Sequence, residues 1–262
     1  MSLLGALAGA RIYDLAQPYF TGVPHHPVHP PFLFSMTKQH GEYVGPGGNS
    51  SAAEAFALGG HVGTHIDALC HFSRDGKLYG GHSAAEAQSY DSGLRALSID
   101  TVAPIFRRGV LLDVAGHQKT DALAVDFVVK AELLEQVARA QQVEIRSGDV
   151  VLVRTGWARF WRDPARFIHQ AQGPGPDQAA ARWLSGQGIF AAGSDTVAFE
   201  FVPAPSMPVH VHLLVERGIH IIECLNLEQL AAERVYTFVF AAAPLKITGA
   251  TGSPIRPLAL VE

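Results

Sequence analysis

Three histidines and a carboxylate stand within eleven residues, His61-Val62-Gly63-Thr64-His65-Ile66-Asp67-Ala68-Leu69-Cys70-His71, followed by Phe72. Imidazole and carboxylate together suit a divalent ion such as Zn²⁺, Mn²⁺ or Fe²⁺. Such an ion with an open coordination position is the centre of a metal-assisted hydrolase. The four side chains fall on odd positions, so a strand puts them on one face. A helix brings His61 and His65 together but turns Asp67 about 240° away, and Gly63, Thr64 and Ile66 are poor helix formers. A straight strand separates His61 from His65 by roughly 13 Å, too far for a shared ion. Gly63 removes that difficulty if the chain bends or bulges there. The spacing predicts His61, His65 and Asp67 as ligands of one ion. His71 is then a further ligand, or a base poised over a water on the metal. A lone histidine on such a strand would ordinarily be a surface or core residue; the cluster with its glycine argues against that.

A second polar group, His210, His212, His220 and Glu223, lies far along the chain. Glu223 sits in Ile221-Ile222-Glu223-Cys224-Leu225, where burial without a partner is costly. A metal or a facing histidine would offset that cost; a strand edge with its head in water would avoid it. Cys70 and Cys224 are expected as small apolar filler on the face opposite the ligands, with soft-metal ligation or redox sensitivity as the alternative. Trp157 and Trp161 read as core or interface anchors. Phe199 and Phe201 are equally suited to a substrate wall or to plain packing.

The elements that must hold these residues follow from pattern. Arg11–Ala16 reads as a first strand. Pro18–Ser51 is rich in Pro, Gly and His (Pro24-His25-His26-Pro27-Val28-His29-Pro30-Pro31) and reads as mostly loop. A loop of that length is often a lid, a binding loop or an exchanged arm. Its histidines are expected in solvent, with the entrance to a site as the alternative. Ala53–Ala68 reads as a strand region interrupted at Gly59-Gly60. Gly109–Val114, Asp149–Arg154, Gly188–Gly193, Ile219–Leu225, Val235–Ile247 and Leu258–Val261 read as strands. Asp126–Gln142, Gln178–Leu184 and Met207–Arg217 read as helices, the last stopped by Gly218. Short strands mixed with a few helices predict an α/β or α+β fold around a central sheet.

Composition excludes several classes. The 262 residues are 48% hydrophobic and 17% charged, ample for a buried core. The net charge is −4, and Arg107-Arg108 is the longest basic pair, so nucleic-acid binding has no electrostatic footprint. No apolar stretch is long enough to span a bilayer. Met1-Ser2-Leu3-Leu4-Gly5 lacks the basic start of a secretory signal. Two cysteines make no disulfide framework, and a cytoplasmic location is the expectation.

The segment His61-x-Gly63-Thr64-His65-x-Asp67-x3-His71-Phe72 resembles the H-x-G-T-H-x-D-x-P-x-H-F signature of the metal-dependent cyclase family, which includes kynurenine formamidases and isatin hydrolases. Further blocks are similar to that family. They are Tyr13-Asp14-Leu15, Arg154-Thr155-Gly156-Trp157, Gly193-Ser194-Asp195-Thr196 and Pro208-Val209-His210-x2-Leu213-Leu214 leading to Glu223. At the C-terminal end, Ala242–Ile247 and Thr251–Arg256 resemble the isatin-hydrolase branch. The resemblance implies His61, His65 and Asp67 as metal ligands and His71 as the catalytic acid/base. It also implies His210 as the later active-site histidine, a second-metal ligand in the formamidases, and Glu223 as a metal-contacting glutamate. Leucine spacing favours His210 over His212. The implied fold is an α/β swivelling domain of β/β/α type over residues 1–262. It would have a barrel-like mixed sheet, a few peripheral helices and a Pro/His-rich loop or arm at 17–52. The implied cofactor is one Zn²⁺ or Mn²⁺ ion, with room for a second. The implied assembly is a homodimer or higher homo-oligomer whose partner contributes to the site, acting on a small molecule. The implied reaction is hydrolysis of a non-peptide C–N bond in a small cyclic amide or aryl formamide; a lactone hydrolase and a non-catalytic metal- or ligand-binding module are the alternatives. Three places depart from the pattern. Leu69 replaces the signature proline. Glu223 stands where the isatin branch has a small hydroxyl residue. No counterpart of the formamidase stacking tryptophan is present, leaving Tyr19 or Phe20 for that task.

Overall fold

The computed structural model describes residues 9–262; the Met1–Gly5 stretch lies outside them. In chain order the strands of three or more residues are β1 (Arg11–Asp14), β2 (Leu33–Lys38), β3 (Ala53–Ala57), β4 (His65–Asp67) and β5 (Ile105–Asp113). They continue with β6 (Val150–Arg154), β7 (Ala191–Ser194), β8 (His220–Glu223), β9 (Thr237–Ala242), β10 (Gly252–Pro254) and β11 (Leu258–Val261). All but β2 and β3 join one nine-stranded mixed sheet in the order β1-β11-β9-β5-β6-β7-β8-β4-β10. Strands β5 to β8 run parallel; β4 is antiparallel to both β8 and β10.

Strands β10 and β11 are nearly consecutive in sequence, yet one is an edge strand and the other lies next to the opposite edge. The link between them reaches no more than about 14 Å. The sheet must therefore curl until its ends approach, which is the barrel-like core the sequence predicts. The packing agrees: Tyr13 and Ala259 from one end share an apolar cluster with Ile66 and Ile222 from the other. On the outer face Val110, Leu112, Val151, Val153 and Ile221 pack against helices. Alternate residues of β6 thus serve opposite faces, and both faces are buried, which is why its sequence is an unbroken apolar run.

The three longest helices are α1 (Ala131–Ala140), α2 (Gln178–Gly186) and α3, which runs from Pro208 to Arg217 and is π-wound from Val211. Leu134, Val137, Leu184, Leu213 and Leu214 are their core-facing residues, each worth about 1.5–3 kcal/mol of burial. Asp177 caps α2 by accepting from the Ala180 N–H at 2.8 Å. Helix α3 ends at Gly218 in the left-handed conformation, as expected.

Three expectations are refined. The 18–51 stretch is mostly loop, as expected, with one strand in it: β2 pairs with β3 in a two-stranded hairpin. Every residue of β3 is exposed, as is nearly all of β2, so no buried face stamped a pattern on the sequence. The first helix begins at Ala131, because Val128-Val129 pairs instead with Gly175-Pro176, where β-branched side chains are favoured. Ala53–Ala68 is two separate strands in different sheets, β3 and β4, with a bend between them.

Candidate active site

The bend predicted at Gly63 is present: its φ is +71°, a conformation glycine adopts without strain. A Cβ there would meet the Tyr19 ring at 2.5 Å. Tyr19 in turn donates its hydroxyl to the Val62 carbonyl at 2.7 Å, so it fastens the bend. Past it the chain enters β4, which sends His65 and Asp67 to one face. His61 returns to meet them, its Nδ1 lying 2.8 Å from Asp67 Oδ1 and its Nε2 2.9 Å from Thr251 Oγ1. Gly252 leaves room for this ring: a Cβ there would lie 2.5 Å from His61 Cε1.

Strand β8 lies beside β4 and pairs Glu223 with His65. The Glu223 carboxylate spans two histidines, with Oε2 at 3.4 Å from His65 Nε2 and Oε1 at 3.2 Å from His210 Nε2. His65 Nδ1 faces the Gly63 carbonyl at 2.8 Å. A carbonyl only accepts, so Nδ1 carries the proton. Nε2 faces Glu223 and Asp67 Oδ1, the latter 3.6 Å away, and these carboxylates raise the His65 pKa against its burial. Two buried carboxylates turned on one ring nitrogen need a cation between them, either a proton on Nε2 or a metal ion. Asp67 Oδ2 makes the same point, being buried with no hydrogen-bond partner among the described residues. The nitrogen and carboxylate atoms form two groups, each within 4.8 Å: His61, His65 and Asp67; and Asp67, His210 and Glu223. Imidazole and carboxylate donors at this spacing fit a divalent metal ion in either group.

Charge follows the same geometry. Burial alone would raise the Asp67 pKa, but His71, His61 and His65 around it hold it well below the carboxylate range. Burial opposes ionisation of Glu223 too, and hydrogen bonds to His210 and His65 overcome it. Burial would lower His210, but hydrogen bonds to Glu200 and Glu223 raise it to about 10. His71 is the opposite case: burial pushes it down to about 3, against the pull of Asp67. Its ring stacks on His61 at 3.9 Å. Among the described residues neither of its ring nitrogens has a hydrogen-bond partner.

These groups open into a cavity of about 270 Å³ that Phe72, Val197, Ala198, Met207, His26 and His29 help line. His26 and His29 are thus at the site rather than in solvent, a correction; His29 stacks on His61 at 5.1 Å. Tyr19 and Phe20 do not line the cavity. Phe20 packs under the Arg162 guanidinium instead. Phe199 is core and Phe201 is also absent from the cavity wall. Trp157 and Trp161 anchor a small apolar cluster, and Cys70 and Cys224 are buried filler in separate clusters. Glu223 is buried, not at a watered edge. His212 turns away to Ser185 and Glu216. His220 donates Nδ1–H to the Asp67 backbone carbonyl at 2.8 Å.

Sequence reasoning missed Glu200. It is buried, and its Oε1 accepts from the His210 backbone N–H at 2.9 Å and faces His210 Nδ1 at 2.6 Å. Its Oε2 accepts from the Val209 N–H at 3.3 Å. It thereby fixes the ring that faces Glu223. A buried glutamate ten residues before a histidine has no periodic signature; the flanking Phe199 and Phe201 were the only hint of burial.

The sequence profile of the Cyclase family matches residues 13–201 of this chain. The chain belongs to the Cyclase family. An isatin hydrolase from Roseibium aggregatum is 32% identical over 213 residues, covering 78% of this chain and 73% of that protein. A kynurenine formamidase from Bacillus cytotoxicus is 25% identical over 250 residues, covering 94% of this chain and 95% of that one. A crystal structure of a novel cyclase superposes with a TM-score of 0.89 at 27% identity, covering 98% of this chain and 89% of that chain. An isatin hydrolase bound to the product analogue thioisatinate gives 0.77 at 25% identity, covering 100% of this chain and 99% of that chain. The Cyclase-family fold tolerates Leu69 where proline was expected, because the turn is held by the His71 N–H on the Ala68 carbonyl at 2.9 Å.

Proposed function

We propose that this Cyclase-family protein is a metal-dependent hydrolase that cleaves the C–N bond of a small cyclic amide or aryl formamide. The observation that carries the reading is the buried carboxylate pair Asp67 and Glu223, faced by the ring nitrogens of His61, His65 and His210 beside an unengaged His71. His61, His65 and Asp67 would hold one Zn²⁺ or Mn²⁺, and Asp67, His210 and Glu223 a second. A divalent ion there supplies Lewis acidity and makes water a nucleophile near neutral pH. His71, kept neutral by burial, accepts the proton from the attacking water and returns it to the leaving nitrogen. Asp67 stabilises the imidazolium formed in between. Val197, Ala198, Met207 and Phe72 give the substrate ring an apolar wall and exclude bulk water. The two relatives named above act, by their names, on isatin and on a formylated kynurenine, both aryl compounds with a scissile C–N bond. The test is turnover of isatin, N-formylkynurenine and a lactone panel by protein loaded with Zn²⁺ or Mn²⁺. Cleavage of an amide is the expected result. Lactone cleavage alone would replace the substrate class, and no turnover with either metal would leave a binding module.

The assembly in this proposal is a homodimer. Leu33, Phe34, Met36 and Phe56 of the β2–β3 hairpin are all exposed. A lone two-stranded hairpin is marginal in water, and a second copy would cover it. Sedimentation of the purified chain tests this, with a dimer expected and a monomer overturning it.

A further inference from the structure

A separate cavity of about 280 Å³ lies behind the ligand-bearing strand. Leu69, Leu97, Val102, Ile105 and Phe190 make its apolar walls, and only His220, Arg107 and Thr101 bring polar side chains to it. His220 is buried. Its Nδ1 faces the Asp67 carbonyl at 2.8 Å, and a carbonyl only accepts, so the ring proton sits on Nδ1. Nε2 is then an acceptor, and among the described residues it has no partner. Thr101 is committed, donating its hydroxyl to the Ser98 carbonyl at 2.6 Å. Arg107 lies flat on Phe190, its guanidinium carbon 4.0 Å from the ring centre. Its one side-chain hydrogen bond among the described residues is to the Gly148 carbonyl at 3.4 Å. Among the described residues it pairs with no carboxylate, so a guanidinium edge is free for one.

We infer that this cavity is a second small-molecule site, for an aromatic carboxylate that also bears an N–H donor. The ring fills the apolar walls, the carboxylate takes the Arg107 edge in a charge-assisted pair, and the N–H donates to His220 Nε2. A volume near the lower end of ligand pockets restricts the occupant to a small, roughly one-ring molecule. Amino-aryl acids have this chemistry. They are also what hydrolysis of a cyclic aryl amide releases, and that link alone rests on the reaction proposed above. The occupant would be linked to the Asp67 backbone through the His220 ring, by two hydrogen bonds.

The test is calorimetric titration of the metal-loaded protein with 2-aminobenzoate, which reads binding and not turnover, so a wrong reaction class leaves it interpretable. Arg107→Gln removes the charge and Ala103→Trp, at an exposed rim position, blocks the cavity. Each is expected to weaken binding about tenfold or more, the loss of one charge-assisted contact, with the thermal melt and basal turnover unchanged. Benzoate, which lacks the donor, is expected to bind more weakly than 2-aminobenzoate, and His71→Ala to leave binding intact. The inference is overturned if neither cavity variant weakens binding, if His71→Ala alone abolishes it, or if no binding occurs at millimolar probe.

Discussion

Two buried ionic clusters of this protein differ in one respect. Arg154, on β6, donates to Asp113 Oδ1 at 2.7 Å and to both oxygens of Glu228 at 2.8 and 3.0 Å. Asp113 also accepts from the Gly116 N–H at 3.0 Å. The pairing holds the guanidinium protonated, above even its ordinary range. That cluster is closed: both carboxylates hydrogen-bond the one guanidinium directly. The cluster around Asp67 is open. Three carboxylates, Asp67, Glu200 and Glu223, are buried there against histidines and backbone N–H groups; among the described residues no lysine or arginine pairs with them, and Asp67 Oδ2 has no hydrogen-bond partner. Buried charge is costly unless paired. A closed cluster meets that cost within the chain, whereas an open one calls for a cation from outside. The comparison separates a structural ion network from a functional one without reference to any relative.

Breaking each cluster should have different signatures. The largest effect is expected at His71, which neither cluster needs for its own cohesion. His71→Ala should lower turnover by about 10²–10⁴-fold, the range for a positioned acid/base, while elemental analysis finds the metal content of the wild type. Near-wild-type activity would remove His71 from the proposed role. Asp67→Asn opens the site further and should empty both ligand groups of metal, so that a chelator no longer lowers the melting temperature. Full occupancy in that variant would contradict the ligand assignment. Arg154→Met breaks the closed cluster by leaving two carboxylates unpaired. It should cost about 3–5 kcal/mol in denaturant unfolding with metal stoichiometry unchanged. Glu200→Gln keeps the shape but removes the charge behind His210. It should weaken metal binding by about 10–100-fold, measured by competition with a chromophoric chelator.

The smallest effect is a pH dependence. His71 is neutral in the fold down to about pH 3, whereas in the unfolded chain it protonates below about 6.5. Between those values the unfolded state binds the extra proton, so stability is lost as pH falls from 6.5 toward 3. In chelated protein, His71→Gln should lose less stability over that window than the wild type. An identical pH profile would mean the imidazole is not buried as described.

Much of the open cluster was legible because its chemistry is local. His61, His65, Asp67 and His71 fall within eleven residues, their parity fixes a face, and a single glycine explains how His61 returns. The Leu258–Val261 strand and the start of α2 at Gln178 were also read correctly, from short local apolar patterns. The rest was hidden by physics that leaves no local trace. Glu200 reaches His210 through tertiary folding. Thr251 and Gly252 meet His61 only because β10 pairs with β4. The hairpin escaped notice because neither of its faces is buried within the chain, so no alternation was imposed. The π winding of α3 adds no hydrophobic signal, since Leu213 and Leu214 serve the same core either way.

The curl that brings β10 against β4 also sets an order of events during synthesis. The ring of His61 rests on Thr251 and fits beside Gly252, which the ribosome makes almost two hundred residues later. Until that segment emerges, β4 lacks one of its neighbours and His61 lacks its anchor. A growing chain therefore carries its proposed metal ligands for most of its synthesis without the means to arrange them, and any loading of the site would wait for the last strands.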